Sequence, residues 1–457
     1  MNMKKIYFLS FLGALLIASC ENLVEVDHPA NQIGTEQVFE DLQTAHAALA
    51  GLYAGLRDQS LITGGSYYGV GALLGSYADD LDCYFYDQNG VVDISNNQQQ
   101  KTNSNIETIW NTAYQQVYYA NSIIYGAEHS TALAEGDKNR IRGEALLVRS
   151  LIYFYLQQIF GDIPYTASLD YEYNRKLNKT GAATVLEQLK SDLEEAISLL
   201  PDDYRDTERI YPNRKAAQLL LARIYLLQQE WPLAEQAAKS IMQSPLYQFQ
   251  PDLDEVFHSS GTHILWQLKP QNSGDAVPDA SFYYFTGSTP NSFVLSQDLL
   301  HTFAENDLRK THWMALETFE GQRWYRPCKY KNLPGDNTNE YAVVFRLEEV
   351  YFIMAEALAR QNRLDEALPY LNATRQRAGL TALASLTGEA FNSELLAEKR
   401  REFFAESGLR FLDLKRWGRL NDLSAVKPNW QDYKQLWPLP QKELLLNINL
   451  SPQNPGY

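Results

Sequence analysis

The chain has 457 residues, a formal charge of −16 and three cysteines. The acidic balance excludes a nucleic-acid binder, which needs a basic footprint, and adhesion to anionic lipid by charge alone. The length exceeds one ordinary core, so the chain holds several units or a repeat array.

The N-terminus has the three parts of an export signal. Lys4 and Lys5 give a basic start, Ile6 to Ile17 an apolar core, and Ala18-Ser19 a small-residue exit before Cys20. The core is shorter than the roughly 20 apolar residues of a membrane-spanning helix. The run Ile17-Ala18-Ser19-Cys20 matches a bacterial lipobox, so residues 1–19 read as a lipoprotein signal and Cys20 as the lipidated first residue of the mature chain. Each buried methylene contributes about 0.8 kcal/mol, and stable anchoring needs more than one acyl chain. Residues 20–34, polar and broken by Pro29, read as a tether.

The body, residues 35–457, is mainly α. Residues 35–57 open with a Thr cap and carry apolar side chains at helical spacing. Residues 106–127, 138–160 and 182–200 continue the pattern; Gly161 and Pro164 of "FGDIP" stop the third of these four helices. Residues 219–238 and 352–371 then align at constant offset, with Ala222 on Ala355, Gln228 on Gln361 and Ala234 on Ala367. Small residues where helices meet, around a short polar turn, mark a tetratricopeptide type of hairpin. Residues 140–160 with 182–200 make a third hairpin with a long insert. The scaffold covers about 35–58, 106–243 and 346–420, while 60–105 and 258–345 are loop-rich. In the latter, "HILWQLK" and "RWYRPCKYK" alternate like short strands. Loops this long in a compact protein are usually functional.

No familiar catalytic spacing stands out. The seven histidines are scattered, and no zinc-protease pair, nucleophile elbow or P-loop is present. "GVGALLG" (69–75) is one residue too long for a dinucleotide fingerprint, and "DDLDCYFYDQNG" (79–90) lacks the EF-hand order. No cofactor or metal is expected. Cys83 and Cys328 make no disulfide framework and read as unpaired.

The loops are rich in aromatic residues. Tyr67, Tyr68, Tyr77, Tyr84 and Tyr86 fall close together; Tyr283, Tyr284, Trp313, Trp324 and Tyr325 follow. Many such rings simply pack loops onto helices. As a group they also suit a saccharide, whose apolar C–H face meets a ring while Asp, Asn or Arg meets its hydroxyls. The candidate ligand residues are Tyr67, Tyr68, Asp80, Tyr84, Tyr86, Tyr283, Tyr284, Trp324 and Tyr325.

Four ordered motifs resemble the SusD/RagB family: "RGEALLVRSLIYFYLQQIFGDIP" (142–164), "YFIMAEALARQNRLDEALPYLNATRQRAGL" (351–380), "LLAEKRREFFAESGLRFLDLKRWGRL" (395–420) and "WPLPQKELLLNINLSPQNPGY" (437–457). The resemblance implies a surface lipoprotein of the outer membrane that binds glycan, or peptide in some members. Such a protein sits as a lid on a SusC-like TonB-dependent transporter, passes the ligand on and performs no chemistry. It also implies a structural role for Glu402, Arg410, Asp413 and Arg416 as one charge network. Two readings from other classes stand beside it. A surface glycan hydrolase needs two acids about 5–9 Å apart across a cleft. A tetratricopeptide adaptor would bind its partner on the concave helical face.

Overall fold

The computed structural model describes residues 35–62, 69–86 and 90–457. The signal, the tether and Cys20 expected at the N-terminus lie outside these residues. About 53% of the chain is helical.

The first body helix is broken. A single turn, Thr35–Val38, is followed by α1, Leu42–Asp58, whose N-cap is Asp41 and not the expected Thr. The Asp41 carboxylate accepts from the Gln43 and Thr44 amides, satisfying donors that the first turn leaves orphaned. Next come α2, Val70–Tyr77, and the short strand β1, Leu81–Cys83. The α2 helix is the "GVGALLG" stretch, so a buried helix lies inside a segment that composition marks as loop. Its packing leaves no room for a side chain at position 71: a Cβ on Gly71 would fall 2.5 Å from the Ala405 carbonyl oxygen.

The scaffold continues with α3, Ser104–His129, α4, Glu135–Phe160, and α5, Ala182–Leu199. Gly161 ends α4 at φ 78°, a conformation that glycine adopts freely. The two matched hairpins are α6, Arg214–Leu227, with α7, Trp231–Met242, and later α8, Leu347–Arg360, with α9, Leu364–Arg377. Three of the four boundaries recur at the offset read from sequence, and α9 runs two residues longer than α7 at its end. The turn recurs too, where Gln229 and Asn362 both take the left-handed conformation at φ 61°. Ala222, Ala234, Ala355 and Ala367 are all fully buried. α7 packs on α8, and a buried ion pair, Arg223 to Glu349, joins the hairpins. α3, α4 and α5 extend the stack at the other end, with α4 on α5 as the third hairpin.

Between the matched hairpins lie β2, Ile264–Leu268, β3, Phe293–Leu295, β4, Met314–Phe319, β5, Gln322–Pro327, and β6, Ala342–Arg346. They pair antiparallel as β1–β3, β2–β6 and β4–β5. β2 is buried along its whole length, with no solvent face, because β6 and α6 enclose it. β4 and β5 form a hairpin closed by Glu320 and Gly321, both at positive φ, as a tight two-residue turn requires.

Two helices follow, α10, Gly388–Phe403, and α11, Leu409–Arg416, before a C-terminal stretch of 3-10 turns and one short helix, Gln441–Leu446. The four charged residues expected to form one network instead serve three clusters. Glu402 bonds Arg346 and Arg377, Arg410 pairs with Asp79, and Arg416 bonds Asp413 and Glu356, with Lys399 also on Asp413. Burial alone would raise the Glu402 pKa, but Arg377, Arg346 and Arg309 outweigh it and hold the carboxyl well below the usual range. Among the described residues no helix is long and apolar enough to cross a membrane.

Candidate functional site: a loop-built aromatic platform

The hairpin β4–β5 sets the site. Alternation along β5 puts Trp324 and Arg326 on one face and Tyr325 on the other, while pairing places Glu317 opposite Trp324. On the first face Trp324 packs with Phe285, Val294 and Phe319 in a small apolar cluster separate from the main core. β3 lies against β5 and brings its partner β1, which leads directly into Tyr84. The Tyr84 amide donates to the Ser292 carbonyl at 2.7 Å, extending the ladder by one residue.

Tyr84 and Trp324, 240 positions apart, thus meet edge to face. Their ring centroids are 6.4 Å apart at 86°, and the indole N–H donates to the Tyr84 hydroxyl at 3.2 Å. The Arg326 guanidinium lies 4.8 Å above the Tyr284 ring, and its Nε donates to Glu317 Oε1 at 3.2 Å. Tyr84 and Tyr284 are each 39% exposed, and Tyr86 is 86% exposed. The result is a set of part-exposed tyrosine faces backed by a buried tryptophan and edged by one guanidinium and one carboxylate. Such a surface can cover a flat apolar ring and hydrogen-bond its polar rim.

The other candidates fall elsewhere. Tyr67 and Tyr68 lie outside the described residues. Asp80 is buried, with Oδ1 accepting from Arg400 Nε at 2.9 Å; it holds β1 to α10 and offers nothing to solvent. Burial raises its pKa against the pull of Arg400. Tyr283 is also buried. It lines a small pocket with Asp279, Lys329 and Glu406, where burial pushes Asp279 up to about 7 and Lys329 down to about 8. Tyr325 is half-buried on the reverse face of the hairpin, beside Leu316 and Lys310. Tyr77 and Trp313 are core residues; the Trp313 indole donates to the Leu253 carbonyl at 3.0 Å. Sequence reasoning missed Arg326 and Glu317. Two-residue spacing from Trp324 was the available signal for Arg326; Glu317 needs the hairpin register. Cys83 and Cys328 are free thiols, and among the described residues no three His, Cys, Asp or Glu side chains gather as a metal site.

Fold and site together define a helical-hairpin scaffold that carries its exposed ligand-type groups on inserted loops. Comparison with known proteins places it more closely. Residues 37–226 match a family model described as SusD-like, "Starch-binding associating with outer membrane", and residues 322–457 match the SusD family model. The chain belongs to the SusD/RagB family. A SusD-like protein of Formosa agariphila is 24% identical, over 96% of this chain and 97% of its own. A SusD-like protein of Bacteroides ovatus is 24% identical, over 72% and 69%. Among solved structures, a SusD superfamily protein from Bacteroides vulgatus superposes with a TM-score of 0.77 at 23% identity, covering 92% of this chain and 100% of that one. Surface glycan-binding protein A from Bacteroides thetaiotaomicron, solved with laminarihexaose, gives 0.76 at 19%, covering 90% and 99%. These likenesses establish the shared, mainly α fold.

Proposed function

We propose that this protein is a cell-surface glycan-binding lipoprotein that captures oligo- or polysaccharide and delivers it to a SusC-like TonB-dependent outer-membrane transporter. The platform of Tyr84, Tyr284, Trp324 and Arg326 carries the reading. It offers stacking faces and hydrogen-bonding edges without a tight, enclosed pocket, which suits a chain of sugar rings. Family membership and the laminarihexaose-bound structural neighbour support the same ligand class. Cys20 is the lipid anchor, and residues 20–34 form the tether that keeps the body over the transporter at high effective concentration. The protein binds and hands on its ligand without changing it.

Calorimetry against a panel of soluble polysaccharides, laminarin among them, tests this. Saturable binding to at least one glycan is expected, with oligosaccharide length unchanged after incubation. Binding to peptide mixtures and to no glycan would replace the reading with peptide capture. Shortened products would replace it with hydrolysis.

A further inference from the structure

Asn111, Tyr114, Tyr118 and Asn121 follow one another along α3 at steps of three or four residues, so they share one stripe of that helix. A packing stripe carries aliphatic side chains; this one carries rings and amides. It borders a groove of about 620 Å³. The stripe is the first wall, about 15 Å long at 1.5 Å per residue. The segment 164–177 after α4 is the second wall, and residues 443–450 are the third. The buried Trp110 backs the groove, its indole N–H bonded to the Glu443 carboxylate.

The walls are tied to one another. The Tyr114 hydroxyl donates to the Pro164 carbonyl at 2.8 Å, and Asn121 Nδ2 donates to the Thr166 carbonyl at 3.1 Å. Asn174 Nδ2 donates to the Ser168 carbonyl at 2.8 Å and its Oδ1 accepts from Thr166 Oγ1 at 2.8 Å. The third wall is fastened to the second, with Asn447 Nδ2 on the Leu177 carbonyl at 2.8 Å and Asn449 Nδ2 on the Lys176 carbonyl at 2.7 Å. The groove is thus shaped before any ligand arrives, which removes an ordering cost from binding.

Three polar groups in the lining take no part in this bracing. The Asn111 amide is exposed and has no partner among the described residues, and neither have the hydroxyls of Tyr118 and Tyr171. Both rings face solvent, Tyr118 at 48% and Tyr171 at 73% exposure, and they stand on different walls. We infer that this groove is a second saccharide site, separate from the platform of Tyr84 and Trp324, that takes an uncharged stretch of the same glycan. The inference rests on the glycan-binding reading above.

The lining chooses this ligand over others. A sugar ring lays its C–H face on a tyrosine and turns its hydroxyls to groups such as Asn111 and the two phenols. An apolar partner would cover those three groups and leave them without a bond, which is costly. A charged ligand finds no free counter-charge: Arg175 is paired with Glu172 at 2.7 Å, and Glu443 is held by Trp110. Of the exposed aliphatic side chains in the tail, Leu446 lines the groove, while Leu445 and Ile448 lie outside its lining. A polymer that reaches both sites is held by two contacts, the second engaging at high local concentration, whereas short oligosaccharides fill each site independently.

The test is calorimetry on the full chain with two probes: the polysaccharide of the panel that binds best, laminarin or another, and a short oligosaccharide cut from it. The variants are Tyr118→Ala with Tyr171→Ala, and Tyr118→Phe with Tyr171→Phe. Both rings are exposed and neither hydroxyl is bonded, so the fold is retained, and thermal melts check this. The parent should bind about two oligosaccharides per chain and the Ala pair about one, with polysaccharide affinity about tenfold weaker. The Phe pair keeps the ring faces and should keep both sites, within about threefold of the parent. The stoichiometry decides. A parent that binds one oligosaccharide per chain overturns the inference, and so does an Ala pair that still binds as many as the parent. Either result leaves glycan capture at the platform standing. A parent that binds no glycan overturns the glycan-binding reading itself, and the inference with it.

Discussion

Removing the Tyr84 ring is the sharpest test of the platform. The ring is 39% exposed, and a sugar ring laid on it would cover roughly 60 Å² of apolar surface. At about 25 cal/mol per Å² this is about 1.5 kcal/mol, or roughly tenfold in affinity. Tyr84→Ala should therefore weaken glycan binding about tenfold. Tyr84→Phe keeps the face and loses only the acceptor for the Trp324 indole at 3.2 Å, so its affinity should stay within about threefold of the parent. The edge-to-face pair with Trp324 is worth about 1 kcal/mol. The Ala variant should accordingly melt only slightly lower, and the affinity change is not an unfolding effect. Calorimetry with the best glycan of the panel, beside thermal melts, reads both quantities. Affinity within twofold of the parent for both Tyr84→Ala and Trp324→Ala, with the fold intact, would refute the argument that this face holds the ligand.

Three further outcomes follow from other sites. Burial pushes the Glu144 carboxyl up to about 7, although the Tyr53 hydroxyl donates to it at 2.6 Å. A raised acid pKa contributes stability below its unfolded value near 4.5 and loses it as pH rises through 7; Glu144→Gln should thus gain up to about 3 kcal/mol over the parent at pH 8 and much less at pH 5, measured by urea unfolding. Gly71→Ala sets a methyl group against the Ala405 backbone carbonyl, which cannot swing aside, and should cost about 1–3 kcal/mol in the same assay. Cys20→Ala should abolish membrane attachment and leave glycan affinity in solution unchanged; a variant that still partitions with outer membranes when the transporter is absent would defeat the lipid-anchor reading.

The scaffold was legible because helix packing leaves a periodic trace. Ala222 and Ala355 occupy the same crossing in two copies, and the structure repeats both helices and the left-handed turn residue at that offset. Site residues leave no such trace, since their meaning depends on which way a side chain points. Adjacent aromatic residues look like one patch in sequence. In the fold they divide: Trp324 joins the platform while Tyr325 turns to the reverse face, and Tyr284 reaches solvent while Tyr283 points inward. For 324 and 325 the strand period of two already forbids a shared face. The contact of Tyr84 with Trp324 needs β1 to pair with β3 and β3 to lie on β5, long-range steps that no local pattern encodes.

Asp80 shows how the C-terminal motif and the platform belong to one device. As a candidate ligand group it is misplaced, since Arg400 of α10 holds it in the interior. The same guanidinium donates to the Asp79 carbonyl at 2.6 Å and to Asp298 Oδ2 at 2.7 Å, just past β3. Arg410 closes the set with a two-pronged bond to the Asp79 carboxylate. Burial works to raise the Asp79 pKa, but Arg410 and Arg400 outweigh it and keep the group ionised. One arginine thus fixes the start of β1 and the end of β3 to the helical body. Those two strands carry Tyr84 to the face of Trp324. Binding by stacking loses affinity when the rings must first be ordered, and a frame that orders them beforehand removes that cost. The charged C-terminal helices thus set the geometry on which the loops depend.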